Sequence, residues 1–258
     1  MTLSKMIDGL HHLWRAPRGH APVLVFSNSL GTDFRLWDRV VARLPADWGI
    51  LRLDKRGHGL STLVEGVTID SLAGDIETLL DAYSIQRFAG IGLSVGGLVM
   101  QRLALRRAGT MTHLVLSDTA AKIGTEALWN QRIEAVTAGG VAAISDQILK
   151  NWFPADYHAT DDFRMWRAML ERTDRAGYAA VSAAIRDADF TTDLPLIGLP
   201  TLAVVGEADG STPPKQVRQM ADRIPHARFE QIPRAGHLPC VDRPEAFTEL
   251  LLSHLGAG

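Results

Sequence analysis

Ser94 lies in the segment Gly92-Leu93-Ser94-Val95-Gly96, where a glycine stands two positions before and two positions after the serine. A serine hydroxyl is a weak nucleophile near neutral pH unless a neighbouring base removes its proton. The Gly-x-Ser-x-Gly pattern is typical of a strained strand-to-helix turn, in which larger side chains at the glycine positions would collide with the backbone. An apolar run precedes the motif, and Leu98 to Arg107 has helical spacing after it. We therefore predict that Ser94 is a nucleophile.

The base that would activate Ser94 is predicted from chain order, because serine, acid and histidine follow one another in this order in folds with such a turn. His237 lies in a loop after the predicted strand Ala227 to Ile232, at the edge of the sheet where the serine turn also lies. The other histidines after Ser94 lie inside or before a strand, in a central helical segment or near the C terminus: His113, His158, His226 and His254. We predict that His237 is the base.

Two aspartates are candidates for the acid that orients the histidine ring. Asp209 follows the apolar run Thr201 to Val205, and Asp118 follows the earlier run that ends at Ser117. An aspartate directly after a strand often makes only local hydrogen bonds. We favour Asp209 and keep Asp118 as the alternative.

Acyl transfer also requires N–H donors for the oxyanion of the tetrahedral intermediate. The amide of Val95, at the start of the helix after Ser94, is one predicted donor. The second is expected in the loop after the strand Val23 to Phe26, where the amides of Ser29 and Leu30 both remain candidates.

The secondary-structure pattern of the chain predicts an α/β fold, whose strands and helices would position these catalytic groups. Short continuous apolar runs alternate with segments of helical spacing, as expected for a mostly parallel sheet covered by helices on both faces. The alternation fails over residues 122–190, where the composition becomes helical and includes three of the six tryptophans, Trp129, Trp152 and Trp166. We predict a helical cap at 122–190, inserted into a core formed by residues 1–121 and 191–258.

The composition of the chain limits the classes of partner that it is expected to bind. The formal net charge is −2 with both signs interspersed, which disfavours nucleic-acid binding. Because no apolar stretch resembles a signal peptide or a membrane span, we expect a cytoplasmic protein without a membrane partner. The single cysteine, Cys240, is expected to be a packed residue, since it cannot form an internal disulfide. We expect neither a metal nor another cofactor, and nothing indicates the oligomeric state.

Several motifs together resemble the 3-oxoadipate enol-lactonase family of the α/β-hydrolase superfamily. The most discriminating is the loop Asn28-Ser29-Leu30-Gly31-Thr32-Asp33, whereas the serine motif is shared widely across the fold. The remaining matches are Trp37-Asp38, Asp54-Lys55-Arg56-Gly57-His58-Gly59, Ser117-Asp118-Thr119-Ala120 and Gly236-His237.

This resemblance implies an α/β-hydrolase fold and hydrolysis of 3-oxoadipate enol-lactone to 3-oxoadipate in aromatic degradation. Ser94 would attack the lactone, His237 would transfer protons and Asp209 would orient His237. The lactone carries a carboxylate arm, for which Arg is a good bidentate partner, and the cap residues Arg132 and Trp129 are the candidates for substrate contact. The alternatives are a general carboxylesterase, a carbon–carbon bond hydrolase of the same fold, or a small-molecule receptor.

Overall fold

The computed structural model describes residues 3–256, and within them the chain forms one sheet of eight strands. In chain order the strands are β1 (Lys5–Ile7), β2 (Leu10–Arg15), β3 (Val23–Ser27), β4 (Gly49–Leu53), β5 (Phe88–Leu93), β6 (Met111–Ser117), β7 (Thr201–Gly206) and β8 (Ala227–Ile232).

The order across the sheet is β1-β2-β4-β3-β5-β6-β7-β8, and the strands from β4 to β8 pair in parallel. The predicted mostly parallel sheet is therefore confirmed. The chain leaves β3 toward β4 on one side and leaves the neighbouring strand β5 toward β6 on the other side. The loops after β3 and β5 consequently meet at a topological switch point, where ligands bind in open α/β sheets.

The antiparallel hairpin of β1 and β2 was not predicted from the sequence. In β2 the adjacent residues His11 and His12 are both buried, where an apolar run would be expected. Their ring nitrogens are hydrogen-bonded instead, His11 to Asp54 at 2.7 Å and His12 to the Tyr83 hydroxyl at 2.7 Å. Tertiary hydrogen bonds thus make burial of these polar residues possible.

Helices cover the sheet, and their apolar stripes form the core against it. In α2 (Ile69–Ala82), Leu72, Ile76 and Leu79 are buried, and Thr68 and Ser71 form a capping box at its start. The other helices are α1 (Asp38–Val41), α3 (Val95–Arg106), α4 (Glu126–Gly139), α5 (Ser145–Trp152), α6 (Asp161–Glu171), α7 (Arg175–Asp187), α8 (Pro214–Ala221), α9 (Pro239–Asp242) and α10 (Pro244–His254). Short 3-10 helices occur at Phe34–Trp37, Val141–Ile144, Ala155–Ala159 and Leu194–Leu196. None of the helices within residues 3–256 is long and apolar enough to cross a membrane.

Helices α4 to α7 all lie between β6 and β7, in the segment 122–190 for which the sequence predicts a cap. All three tryptophans of this segment are buried. The start of α7 contacts the loop after β4 through two glycines, because a Cβ atom on Gly177 would overlap the carbonyl group of Gly57. This backbone contact joins the helical segment to the sheet at a fixed distance.

We expect the substitution Gly177→Ala to destabilise the protein by about 1–3 kcal/mol, because overpacking against a backbone group outweighs the better helix propensity of alanine. The matched control is Gly74→Ala in α2, where a Cβ atom would meet nothing within 4 Å. That control should stabilise the protein by about 0.5–1 kcal/mol. Urea unfolding of both variants measures the difference, and equal effects would contradict the close contact.

Candidate active site

Ser94 occupies a strained turn between β5 and α3. Its backbone angles are φ 58° and ψ −120°, a conformation that residues other than glycine rarely adopt. A Cβ atom on Gly92 would overlap the carbonyl group of Gly96, and a Cβ atom on Gly96 would overlap the carbonyl group of Ser27 at the end of β3. Both flanking glycines are therefore required by backbone contacts, as the sequence motif indicates.

His237 and Asp209 lie in the loops after β8 and β7, which are neighbours in the sheet. His237 Nδ1 is 2.9 Å from Asp209 Oδ2 and 3.0 Å from Asp209 Oδ1. The backbone N–H of His237 donates to the Trp152 carbonyl group at the end of α5, over 2.9 Å. The ring is thus oriented by Asp209, and its backbone is fixed by the helical insertion.

The Asp209 carboxylate accepts further hydrogen bonds from the turn that follows it. The backbone amides of Ser211 and Thr212 donate to Oδ1 over 2.7 and 3.1 Å, and the Thr212 hydroxyl donates to Oδ2 over 2.6 Å. Burial raises the pKa of Asp209, but His237 and these donors lower it by more, so its pKa lies below the ordinary value. Asp209 is therefore held as a carboxylate. This role of Ser211 and Thr212 was not predicted from the sequence, although Asp-Gly-Ser-Thr after a strand is a pattern that indicates an Asx turn.

Asp118, the alternative acid, makes different contacts. Its Oδ1 accepts from the backbone amide of Gly206 over 2.9 Å, and the Ser117 hydroxyl lies 2.5 Å from its Oδ2. No hydrogen bond joins it to His237 among the described residues. Burial and the neighbouring charge of Asp209 raise the pKa of Asp118 well above its ordinary value. The structure thus brings Asp209, and not Asp118, into contact with the histidine.

Asp118, Asp209 and His237 are also the only described residues whose acidic or imidazole groups cluster closely enough to hold a metal ion, with ligand atoms within 4.8 Å of one another. Both oxygens of each carboxylate already take part in hydrogen bonds. A cation would have to displace this network. The donor set therefore fits an acid that orients a histidine better than it fits a metal site.

Ser94 and His237 line one cavity of about 110 Å³ between the sheet and the helical insertion. Its other walls are Ser29, Leu30, Ile123, Gly124, Leu128, Trp129, Arg132, Ile148, Asn151, Trp152, Tyr178, Gly210 and Ser211. Within residues 3–256, the hydroxyl of Ser94 makes no hydrogen bond to His237. Such bonds are often long or misaligned before substrate binds, so the geometry remains compatible with proton transfer.

The predicted oxyanion donors lie beside Ser94. Val95 is the first residue of α3, so its N–H has no partner within the helix. The Asn28 carbonyl group faces Gly96, and because the peptide bond is trans, the N–H of Ser29 points away from the start of α3. The Ser29 carbonyl group accepts from Thr32 Oγ1 and Lys55 Nζ, neither of which is a described cavity wall, and the trans peptide directs the Leu30 N–H away from these donors. The sequence leaves the amides of Ser29 and Leu30 as alternatives for the second oxyanion donor, and this geometry favours the amide of Leu30.

The structure brings together the two residues of the helical insertion that are predicted to contact substrate. The guanidinium group of Arg132 lies 4.9 Å from the centre of the Trp129 ring, and Trp129 Nε1 donates to the Ile123 carbonyl group over 2.6 Å. Arg132 is the only lysine or arginine among the described residues that line the cavity, and it forms no ion pair within residues 3–256. Its charge is therefore available to an anionic ligand. Trp152, Tyr178 and Ile148 also line the cavity and were missed, because helical spacing does not reveal which face of an insertion points to the sheet.

The parallel sheet, the strained serine turn and the histidine that follows the last strand together define an α/β hydrolase. The model of the alpha/beta hydrolase family matches residues 20–250. The 3-oxoadipate enol-lactonase 1 of Acinetobacter baylyi is 35% identical over 96% of this chain and 91% of its own length. The crystal structure of the enol-lactonase from Burkholderia xenovorans LB400 superposes with a TM-score of 0.92 and 36% identity, covering 98% of this chain and 100% of that one. A putative carbamate hydrolase of Stutzerimonas stutzeri is 28% identical over 91% of this chain and 92% of its own.

The chain belongs to the 3-oxoadipate enol-lactonase family within the alpha/beta hydrolases. The fold and the family resemblance predicted from the sequence are thereby confirmed.

Proposed function

We propose that this protein hydrolyses 3-oxoadipate enol-lactone to 3-oxoadipate through an acyl-enzyme on Ser94. The observation that carries the proposal is the shared cavity of Ser94 and His237, with Asp209 hydrogen-bonded to the far side of the histidine ring. The enol-lactonase relatives support the choice of substrate. An Asp–His pair beside a serine that lines the cavity supplies the base and the ring orientation that serine acyl transfer requires.

In the first half of the reaction, Ser94 Oγ attacks the lactone carbonyl carbon while His237 Nε2 takes the hydroxyl proton. The carbonyl oxygen becomes an oxyanion, which accepts hydrogen bonds from the amides of Val95 and Leu30. When the tetrahedral intermediate collapses, the ring C–O bond breaks and the electron pair leaves on the enol oxygen. His237 supplies a proton to the leaving group, and the enol becomes the ketone, which makes ring opening hard to reverse.

In the second half, His237 removes a proton from water, and the resulting hydroxide attacks the acyl carbon on Ser94. The second tetrahedral intermediate uses the same two amides and then expels Ser94 Oγ, which regains its proton from His237. The charge of Asp209 stabilises the imidazolium form that arises twice per turnover. The low pKa of Asp209 keeps that charge in place through the cycle.

The carboxylate arm of the lactone would be bound by Arg132. This residue is the one lysine or arginine among the described cavity walls, and Trp129 holds its guanidinium plane. We further propose that residues 122–190 act as the cap, because α4, α5 and α7 supply walls of the cavity. A cavity volume of about 110 Å³ suits a small substrate, since the pockets that bind drug-sized ligands measure roughly 300 Å³ or more.

Turnover of the enol-lactone tests the proposal, and loss of its ultraviolet absorbance is the measurement. We expect turnover by the native protein, and a fall in kcat of about 10⁴-fold or more for both Ser94→Ala and His237→Ala. His226→Ala is the control, because His226 is exposed and precedes β8. Hydrolysis of p-nitrophenyl acetate without lactone turnover would favour the carboxylesterase alternative. Tight lactone binding without any turnover would favour a receptor.

The identity of the acid is tested by comparing Asp209→Asn with Asp118→Asn. The first variant removes the charge that stabilises the imidazolium, so we expect kcat to fall about a thousandfold or more. Asparagine resembles the neutral carboxylic acid that burial favours at Asp118, so the second variant should lose less than about tenfold. Lactone turnover under saturating substrate is the readout. A larger loss from Asp118→Asn would refute the assignment of Asp209.

Carboxylate binding is tested with Arg132→Met. Loss of a charge-assisted contact should raise KM for the lactone by about tenfold or more, while hydrolysis of the neutral ester p-nitrophenyl acetate changes little. The matched variant is Arg186→Met in α7, because Arg186 bonds Asn130 and Asp187 and is not among the described cavity walls. Equal effects of Arg132→Met on both substrates would show that Arg132 does not bind the carboxylate.

A further inference from the structure

Lys55 is a buried cation in the loop after β4, two residues beyond the end of that strand. Its residue is only 6% exposed, and its ammonium group donates to the carbonyl oxygens of Ser29 over 2.6 Å and of Thr32 over 3.2 Å. No carboxylate within residues 3–256 forms an ion pair with it, although Asp54 and Asp33 act on it from farther away. Burial lowers the pKa of Lys55 to about 7, the two aspartates opposing this effect. Its hydrogen bonds are thus directed at one loop, the loop after β3.

Burial of the Lys55 ammonium group lowers the stability of the fold. Removing an ammonium group from water carries a penalty of several kcal/mol, and apolar residues of similar volume often replace buried charges without loss of stability. Thr32 Oγ1 already donates to the Ser29 carbonyl group over 2.8 Å, so that oxygen would not be left unsatisfied without Lys55. Stability alone therefore gives little reason for a lysine at this position.

The contacted carbonyl group belongs to the same peptide unit as the amide of Leu30. In a trans peptide the C=O and N–H bonds point in opposite directions, so a donor that fixes the Ser29 carbonyl group also fixes the Leu30 N–H. Ser29 and Leu30 line the cavity beside Ser94, whereas Lys55 is not among its described walls. The ammonium group and the cavity therefore lie at opposite ends of one peptide dipole. Hydrogen bonding to the carbonyl oxygen polarises the peptide and strengthens its N–H as a donor.

We propose that Lys55 is a positioning residue for catalysis, which orients and polarises the Ser29–Leu30 peptide so that the Leu30 amide stabilises the oxyanion. The inference rests on the proposed acyl transfer at Ser94, because only a developing oxyanion uses that amide. Lys55 itself touches neither substrate nor Ser94. Its effect should therefore be larger on the tetrahedral intermediate than on the bound substrate.

The test compares Lys55→Met with Arg56→Met. Methionine keeps much of the length of lysine and removes the charge. Arg56 is the neighbouring cation of the same loop, and its guanidinium group bonds Asp75 over 2.9 Å rather than the loop after β3. Both variants thus remove a largely buried cation, but only one removes the contact with Ser29. Hydrolysis of p-nitrophenyl acetate gives kcat and KM, and inhibition by phenylboronic acid reports the stability of a tetrahedral adduct on the serine.

For Lys55→Met we expect kcat to fall by about tenfold or more with KM nearly unchanged, and phenylboronic acid to bind more weakly by a similar factor. Affinity for adipate, which has no electrophilic carbonyl carbon, should stay within about twofold, because a ground-state ligand does not form an oxyanion. Arg56→Met should leave both kinetic constants within about threefold, because Arg56 bonds Asp75 and the Asp8 carbonyl group and is not among the described cavity walls. Equal effects of the two variants, or a change in KM and adipate affinity instead of kcat, would overturn the proposal. A native protein with no ester turnover would contradict the proposed function instead.

Thr32→Val provides a second route if Lys55→Met does not fold. It removes the hydroxyl donor to the same carbonyl oxygen, so kcat should fall by about threefold with KM unchanged, in line with the net strength of one neutral hydrogen bond. A Thr32→Val enzyme with the kcat of the native protein would show that donors to this peptide do not act on the oxyanion.

Discussion

The close approach of two backbones at the carboxyl edge of the sheet is the constraint on which the site depends. Gly96, in the first turn of α3, packs directly against the carbonyl group of Ser27 at the end of β3. Any Cβ atom there would separate the serine turn from the loop after β3. Because Ser94 and the Leu30 amide lie on either side of this contact, backbone packing sets the distance between the proposed nucleophile and the proposed oxyanion donor. The strained backbone of Ser94 is maintained by the buried elements around it.

The charged groups of the site lie on loops at the same edge of the sheet. The loops after β7 and β8 bring Asp209 beside His237, and the Asx turn supplies three donors that keep the carboxylate charged despite burial. The helical insertion takes part as well, since the carbonyl group of Trp152 holds the backbone of His237. The segment that supplies walls of the cavity therefore also fixes the backbone of His237. Movement of α5 would alter both features together.

The central sheet could be predicted because strands β3 to β7 are continuous apolar runs, which leave few alternatives to a buried parallel sheet. The placement of Ser94 and His237 at one edge of the sheet could be predicted, because it depends on short motifs and on chain order. The β1–β2 hairpin could not be, since the burial of His11 and His12 depends on partners far along the chain, Asp54 and Tyr83. Lys55 escaped prediction for the same reason, because its role depends on a carbonyl group 26 positions earlier.

Covalent trapping tests the central claim, that the strained turn makes Ser94 a nucleophile activated by His237. The native protein would be incubated with a fluorophosphonate, and the labelled peptide would be identified by mass spectrometry. We predict one phosphonyl group per chain, on the peptide that contains Ser94, at a rate that falls by about a hundredfold or more in His237→Ala. Labelling at another residue, or at the native rate without His237, would contradict the account.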